Sequence, residues 1–350
     1  MLATILHPYE VERFQLRHLK KLLKKTNDLN FNPRPDAGHF FPTSSGKAAL
    51  CLALQDLFDS GKLNSKNDNI LVPQWLDYWT YYIVQPYAFP VIEPTGETKA
   101  MLVSHQYGFP QDMDALIAFA DKRDLTVIED CTQAIDGLDN RKSINTIGNY
   151  AIFSFSNFFP CIMGGGLWVQ DPEAIARIQK RMAGDHNKFL QAWSICLNLY
   201  FEIRPTQNRR ILGSGYAICA QHPRMNKSLG RLVSYDMMNG AIEKRKKNWE
   251  CIRESLSGLE IVDDLEPDVV PFAVPAKIYE KHHKDVLKDL IKLGIKTNFL
   301  NFDAGRNMLL PELEKRLVLP IHQGLKNSEI LLIADTIKNI QYTGLSAWRR

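Results

Sequence analysis

Between residues 69 and 181 short apolar runs alternate with amphipathic stretches, and this alternation restricts the fold more than any other feature of the chain. Asn69–Pro73, Ala100–Ser104, Leu125–Ile128, Tyr150–Phe155 and Leu167–Val169 read as strands, the first of them closed by its proline. Met113–Ala120 and residues 171–181 read as helices, and Ser44, Ser45 and Gly46 form a turn before an apolar helix over Ala48–Leu54. Strands alternating with helices imply a mostly parallel sheet, so the expected class is α/β. Ligands of such sheets bind outside the carboxyl ends of the strands. Leu125–Ile128 runs into Glu129 and Asp130 at such an end. Taken alone, the acid pair is equally a cap or surface turn, and the Ser-Gly step equally a plain helix cap. Three consecutive glycines, 164 to 166, are costly in chain entropy and point to a close backbone approach or an unusual turn.

Outside this unit the pattern is less regular. Residues 11–26 are expected to form a leading helix, followed by a polar, turn-rich stretch to about residue 42. An apolar helix candidate lies near 190–201 and an arginine-rich loop at 204–210. Lys227 to about Leu256 is helix-compatible throughout, with Gly240 the one weak position. A smaller C-terminal α/β domain is expected from a strand at Pro271–Pro275, a helix at Lys281–Leu293, a strand at Arg316–Pro320 and a closing helix at Ser328–Ile340. The division places an N-terminal segment and large domain in residues 1–225, and a connecting helix and small domain in 226–350.

Charge and cysteine usage exclude several classes. The 43 Lys and Arg against 39 Asp and Glu leave a net charge of +4, and the basic runs are interleaved with apolar positions, so no nucleic-acid partner is expected. No apolar run reaches the length of a membrane span. The six cysteines, Cys51, Cys131, Cys161, Cys196, Cys219 and Cys251, show no metal-like spacing, and the start lacks a signal-peptide pattern. The expectation is a cytoplasmic protein without a metal site.

The ordered set of motifs resembles the DegT/DnrJ/EryC1/StrS family of fold-type I, pyridoxal-phosphate-dependent sugar aminotransferases. The pieces are the Ser45-Gly46 turn before Ala48-Ala49-Leu50, His105 to Gly108 with Asp112 and Asp114, Glu129 to Ala134, Phe153-Ser154-Phe155, the glycines, Arg224-Met225 before a long helix, and Leu319 to His322. The resemblance implies an aminotransferase-like fold of type I, a homodimer, a nucleotide-linked sugar as substrate, and pyridoxal or pyridoxamine 5'-phosphate (PLP or PMP) as cofactor. It implies that Asp130 pairs with the pyridine nitrogen, since a carboxylate keeps that nitrogen protonated and the ring an effective electron sink. It places Gln133 near the cofactor's 3'-oxygen, and Ser45, Gly46 and Ser154 around the phosphate, with Lys47 reinforcing the phosphate or facing solvent. Helix-terminal N–H groups suit a phosphate dianion. Trp75, Tyr78 and Trp79 are candidates to stack on the ring or to fill the core. His222 stands two residues before Arg224, where the family has an asparagine that reaches the neighbouring subunit's phosphate.

One departure outweighs these matches. The Schiff-base lysine of the family lies between Phe-Ser-Phe and the glycines, and no lysine occurs between Lys142 and Lys180. Anchoring on Phe158-Phe159-Pro160 puts Asn157 at its place; counting back from the glycines puts Phe159 there. An asparagine amide is neither a nucleophile nor a useful base near neutral pH, so conventional transamination is expected to fall by orders of magnitude and the cofactor to be held noncovalently. A sugar 3-dehydratase related to this family has histidine instead of the lysine, so other chemistry stays open. Candidate replacements for the missing base are His105, His186, His222, Lys180 and Lys188. The alternatives are a non-catalytic regulatory or scaffold homologue, and a cleft reused for another phosphorylated ligand.

Overall fold

The computed structural model describes residues 20–21, 28–136, 147–184, 189, 192–193, 195–197, 222–257, 265, 269–295 and 297–346. In chain order its first elements are β1 (His39–Thr43), α1 (Gly46–Asp59), β2 (Asn69–Leu71), α2 (Tyr78–Val84), β3 (Phe89–Val91), β4 (Thr98–Ser104), α3 (Met113–Lys122), β5 (Thr126–Asp130) and β6 (Ala134–Asp136). Next come β7 (Tyr150–Ser154), β8 (Gly165–Val169), α4 (Pro172–Ala183), α5 (Lys227–Met238) and α6 (Ala241–Ser255). The described chain closes with β9 (Val269–Pro271), β10 (Ala273–Lys277), α7 (His283–Lys292), β11 (Phe299–Asp303), β12 (Leu313–Pro320) and α8 (Asn327–Ser346).

Seven strands form one sheet in the order β1-β8-β7-β5-β4-β2-β3. The run β7-β5-β4-β2-β3 is parallel, and β8 is antiparallel to both β7 and β1. The continuous apolar strands thus lie inside a mostly parallel sheet, as their composition requires. Helix α1 carries small and aliphatic side chains all round, and Ala48, Ala49, Leu52, Ala53 and Leu54 are buried. It packs on β7 and β8.

The glycine run acquires a physical reason here. A Cβ on Gly166 would lie 1.8 Å from the Phe40 ring, and one on Gly165 would lie 2.4 Å from the Ser45 carbonyl carbon. Both positions must be glycine for β1 and the entry of α1 to cross β8 this closely.

Several boundaries differ from the sequence expectation. The stretch read as turn-rich up to residue 42 contains β1, which registers His39 with Val169 and Thr43 with Gly165. The single helix expected from Lys227 is two helices: Asn239 ends α5, and Gly240, at φ +75°, opens α6. That left-handed backbone is the one glycine adopts without cost. The strand expected at Pro271–Pro275 is split between two sheets, with β9 pairing β6 and β10 pairing β12. The chain crosses at Phe272, whose N–H donates to the Tyr107 carbonyl at 2.8 Å. β10, β12 and β11 make an antiparallel three-stranded sheet. Of the expected leading helix only Lys20 and Lys21 are described, and both are helical; the arginine-rich loop and most of the 190–201 candidate lie outside the described residues.

Candidate functional site

The carboxyl edge of the parallel strands gathers most of the residues singled out by sequence. Register pairs Ser104 with Asp130, Asp130 with Ile152, Ser154 with Gly165, and Gly165 with Thr43. α1 begins at this edge, and its cap Ser45 accepts the Ala48 N–H on its hydroxyl oxygen at 3.1 Å. Gly46 is pressed against the strands: a Cβ there would lie 2.9 Å from Thr132 Cγ2 and 3.2 Å from Ser154 Cβ. The amino terminus of a 14-residue helix therefore sits beside Thr132, in the turn that follows β5. Ser154 and Ser156 place their hydroxyls 3.3 Å apart. Lys47 is half-buried in the first turn of α1.

Asp130 is 7% exposed. Burial raises its carboxyl above the usual carboxylate range; the Thr132 hydroxyl and N–H oppose the rise, Asp77 adds to it, and His105 works against it. The Thr132 N–H donates to Asp130 Oδ1 at 3.0 Å. Asn157, in the short 3₁₀ turn after β7, donates its Nδ2 to the Thr132 carbonyl at 2.7 Å. Asn157 thus lies at this edge, bonded to the residue two positions after the buried acid. Phe159, the other position considered for the missing lysine, is 1% exposed and packs on Phe155 in the core. The turn carrying Asn157 is anchored from behind. Gln323 donates to the Phe158 carbonyl at 2.7 Å, and Arg245 lies over the Phe158 ring at 4.9 Å while donating to Phe272 O at 2.7 Å and Gln323 Oε1 at 3.3 Å. Burial pulls the Arg245 guanidinium down to about 9.

Other candidates are placed differently. His105 is fully buried; its Nδ1 accepts the Gln111 N–H at 3.2 Å, so its Nε2 proton faces Glu129 Oε2 at 3.3 Å. Glu129 also accepts the Gly148 N–H. With both nitrogens engaged inside the protein, His105 is a core residue here and not a base facing the cleft. Gln133 spends its Oε1 on the Tyr107 N–H, 2.7 Å away, and so steadies a residue at φ +56°. Trp75 packs with the cluster of Leu71, Met101, Val103 and Met113, and Tyr78 is exposed and stacked on Tyr82. The group of that segment that acts on Asp130 is Asp77, which sequence reasoning missed because its influence runs through space. His222 borders the α1 turn, since the Ser44 N–H donates to Pro223 O at 2.6 Å, and its buried Nε2 has no hydrogen-bond partner among the described residues. Lys180 is exposed on α4, whose buried face is Ala174, Ile178 and Met182. His186 and Lys188 lie outside the described residues.

An α/β chain with this sheet order has the fold of type I aminotransferases. It superposes on the PLP form of a putative sugar aminotransferase from Streptococcus pneumoniae with a TM-score of 0.64, at 14% identity, over 96% of this chain and 98% of that one. The sequence profile of the DegT/DnrJ/EryC1/StrS aminotransferase family matches residues 91–329, and the chain belongs to that family. It is 26% identical over 245 residues, 65% of this chain, to an L-glutamine:2-deoxy-scyllo-inosose aminotransferase of Micromonospora echinospora. Over 146 residues, 37% of this chain, it is 32% identical to a dTDP-3-amino-3,6-dideoxy-alpha-D-galactopyranose transaminase of Aneurinibacillus thermoaerophilus. These matches span 55% and 40% of the two relatives, so the chain aligns with about half of their length. Among the described residues no helix is long and apolar enough to cross a membrane.

Proposed function

We propose that this protein binds PLP or PMP noncovalently at the carboxyl edge of its large sheet, acts on a nucleotide-linked sugar, and has lost conventional transamination through Asn157. The observation that carries this is the convergence of a buried carboxylate, Asp130, and a helix amino terminus, Gly46, through the one residue Thr132. The two features match the two poles of the cofactor. The orphaned Nε2 of His222 beside the turn suits a phosphate oxygen, and the donor set of Ser45, Ser154 and the first turn of α1 supplies the rest. Bound there, the cofactor supplies an electron sink for a carbanion next to a substrate nitrogen. Asp130 holds a proton on the ring nitrogen. The α1 terminus and Ser154 orient the phosphate. Asn157 moves no proton at neutral pH, so turnover requires a base from the substrate or from another segment. The nucleotide-sugar class is suggested by relatives named for dTDP- and UDP-linked sugars. A homodimer in a reducing cytoplasm completes the proposal.

The test is equilibrium binding of PLP and PMP to the full chain, followed by borohydride and mass measurement. Retained cofactor with an unchanged protein mass is expected; retention of neither form rejects the proposal. Asn157→Lys then gives a protein that gains the mass of one reduced cofactor, whereas Phe159→Lys gives no such gain.

A second reading, a non-catalytic regulatory homologue, is favoured by one specific observation: the Asn157 amide donates to the Thr132 carbonyl within the protein. Cofactor-dependent turnover of a keto-sugar or amino-sugar excludes it. A cleft taking some other phosphorylated ligand predicts, in contrast, that Asp130→Asn leaves ligand binding unchanged.

A further inference from the structure

The motif Leu319 to His322 plays no part in the site described above, yet it leads into Gln323, which touches that site from behind. Past the end of β12, Asn248 of α6 donates its Nδ2 to the carbonyls of Ile321 at 3.2 Å and His322 at 3.0 Å. Three residues earlier on the same helix face, Arg245 donates to Gln323 Oε1 at 3.3 Å. The nitrogen of that amide donates to the Phe158 carbonyl, 2.7 Å away and directly after Asn157. Arg245 itself is 1% exposed, has no carboxylate partner among the described residues, and leaves its buried Nε unbonded there. Its other contacts are the Phe272 carbonyl at 2.7 Å and the Phe158 and Phe272 rings, at 4.9 and 5.8 Å. A buried charge without a counter-charge is destabilising where a well-packed apolar side chain of similar volume is not. What the guanidinium does hold is the Gln323 amide and the Phe158 ring.

We propose that Gln323 is a positioning residue of the cofactor site: through it α6 and the end of β12 set the turn that carries Ser156 and Asn157, and Arg245 keeps its amide in that orientation. This rests on the B6 reading above. A shift of the Phe158 carbonyl passes directly to the groups around the phosphate. The Ser156 hydroxyl lies 3.3 Å from that of Ser154, and the Phe155 and Ser156 N–H groups donate to the Gly164 carbonyl at 2.9 and 3.4 Å. The glycine run and the serine pair therefore move with the turn.

The experiment compares the full-length wild type with Gln323→Glu and Gln323→Met by urea unfolding, hydrogen exchange read by mass spectrometry, and calorimetric titration with PMP. Gln323→Glu keeps the shape and the acceptor for Arg245, adds the absent counter-charge, and sets an oxygen against the Phe158 carbonyl. Its unfolding midpoint is expected at or above that of wild type. Exchange in peptides covering residues 155–164 is expected to quicken while α6 peptides keep their rates, and PMP affinity to fall by about tenfold, the scale of one buried hydrogen bond lost. A residue that only supported the fold would move stability and affinity together. Gln323→Met, which removes both bonds without adding charge, carries the comparison through the local exchange and the affinity if Gln323→Glu shows no cooperative melt. Wild-type exchange in 155–164, or wild-type PMP affinity, in a variant that melts cooperatively overturns the inference. So does faster exchange spread evenly over the chain, or the failure of both variants to melt cooperatively, since Gln323 is then structural. A wild type that binds no PMP removes the B6 reading itself, and this inference with it, a result distinct from binding that is indifferent to Gln323.

Discussion

The two sides of β5 carry adjacent carboxylates with opposite fates. Successive strand residues face opposite ways. Val127 joins the cluster under α3 and Ile128 the cluster under α1, so Glu129 shares the first side and Asp130 the second. On the Glu129 side every polar valence is closed inside the protein, by the imidazole of His105 and the amide of Gly148. On the Asp130 side the partners are a threonine turn, a second acid at Asp77 and a helix amino terminus beyond. One carboxylate braces the sheet edge, and the other is held buried, under protonation pressure, next to an anion-favouring helix end. Buried polar groups that are fully satisfied specify structure; those supplied with incomplete compensation mark sites.

Breaking the braced side has the largest effect. His105→Ala leaves Glu129 buried with one donor and strips the acceptor from the Gln111 N–H, so a loss of about 3–5 kcal/mol in urea-unfolding free energy is expected. A loss below about 1 kcal/mol would show that the two sides are not different in kind. The next effect is on the site side. Gly165→Ala drives a Cβ to within 2.4 Å of the Ser45 carbonyl carbon, and backbone cannot rotate away as a side chain can. We expect about 1–3 kcal/mol of destabilisation, with phosphate-ligand affinity falling further than stability because the α1 turn is what shifts. Wild-type affinity for PMP in Gly165→Ala would show that the turn does not hold the phosphate.

Much of this was legible in the sequence, and the illegible remainder has a common cause. The parallel core could be read because strands alternated with helices, and the pair Glu129-Asp130 could be put at the carboxyl edge because it ends such a strand, although only the family resemblance selected Asp130. The glycines could be read as a close approach, but not as the crossing of Phe40 over Gly166 and of Ser45 over Gly165, which depends on a strand with only two buried aromatic positions beside a histidine and a proline. The split at Phe272 follows from a hydrogen bond to Tyr107, distant in sequence. His105 stood among several candidate replacements for the missing base; its burial and its Gln111 partner, set by tertiary packing, engage both its ring nitrogens inside the protein. Asp77 had no local signal at all.

The smallest effect is the most discriminating. Because burial lifts Asp130 above the ordinary carboxylate range, the folded protein binds this proton more tightly than the unfolded chain does. Its stability is therefore full below the ordinary carboxylate value, declines as pH rises towards the raised value, and carries a constant cost above it. Asp130→Asn removes that ionisation at little change in shape. The variant should be modestly more stable than wild type at neutral pH, and the gain should vanish as pH falls through the same window. Affinity for PMP should move the other way, down about tenfold or more, since an amide offers the ring nitrogen a weaker acceptor than a carboxylate. A residue that destabilises the fold while strengthening a ligand is kept for the ligand. If Asp130→Asn instead lowers stability at neutral pH and leaves PMP affinity alone, Asp130 is a brace like Glu129 and the contrast between the two sides of β5 disappears.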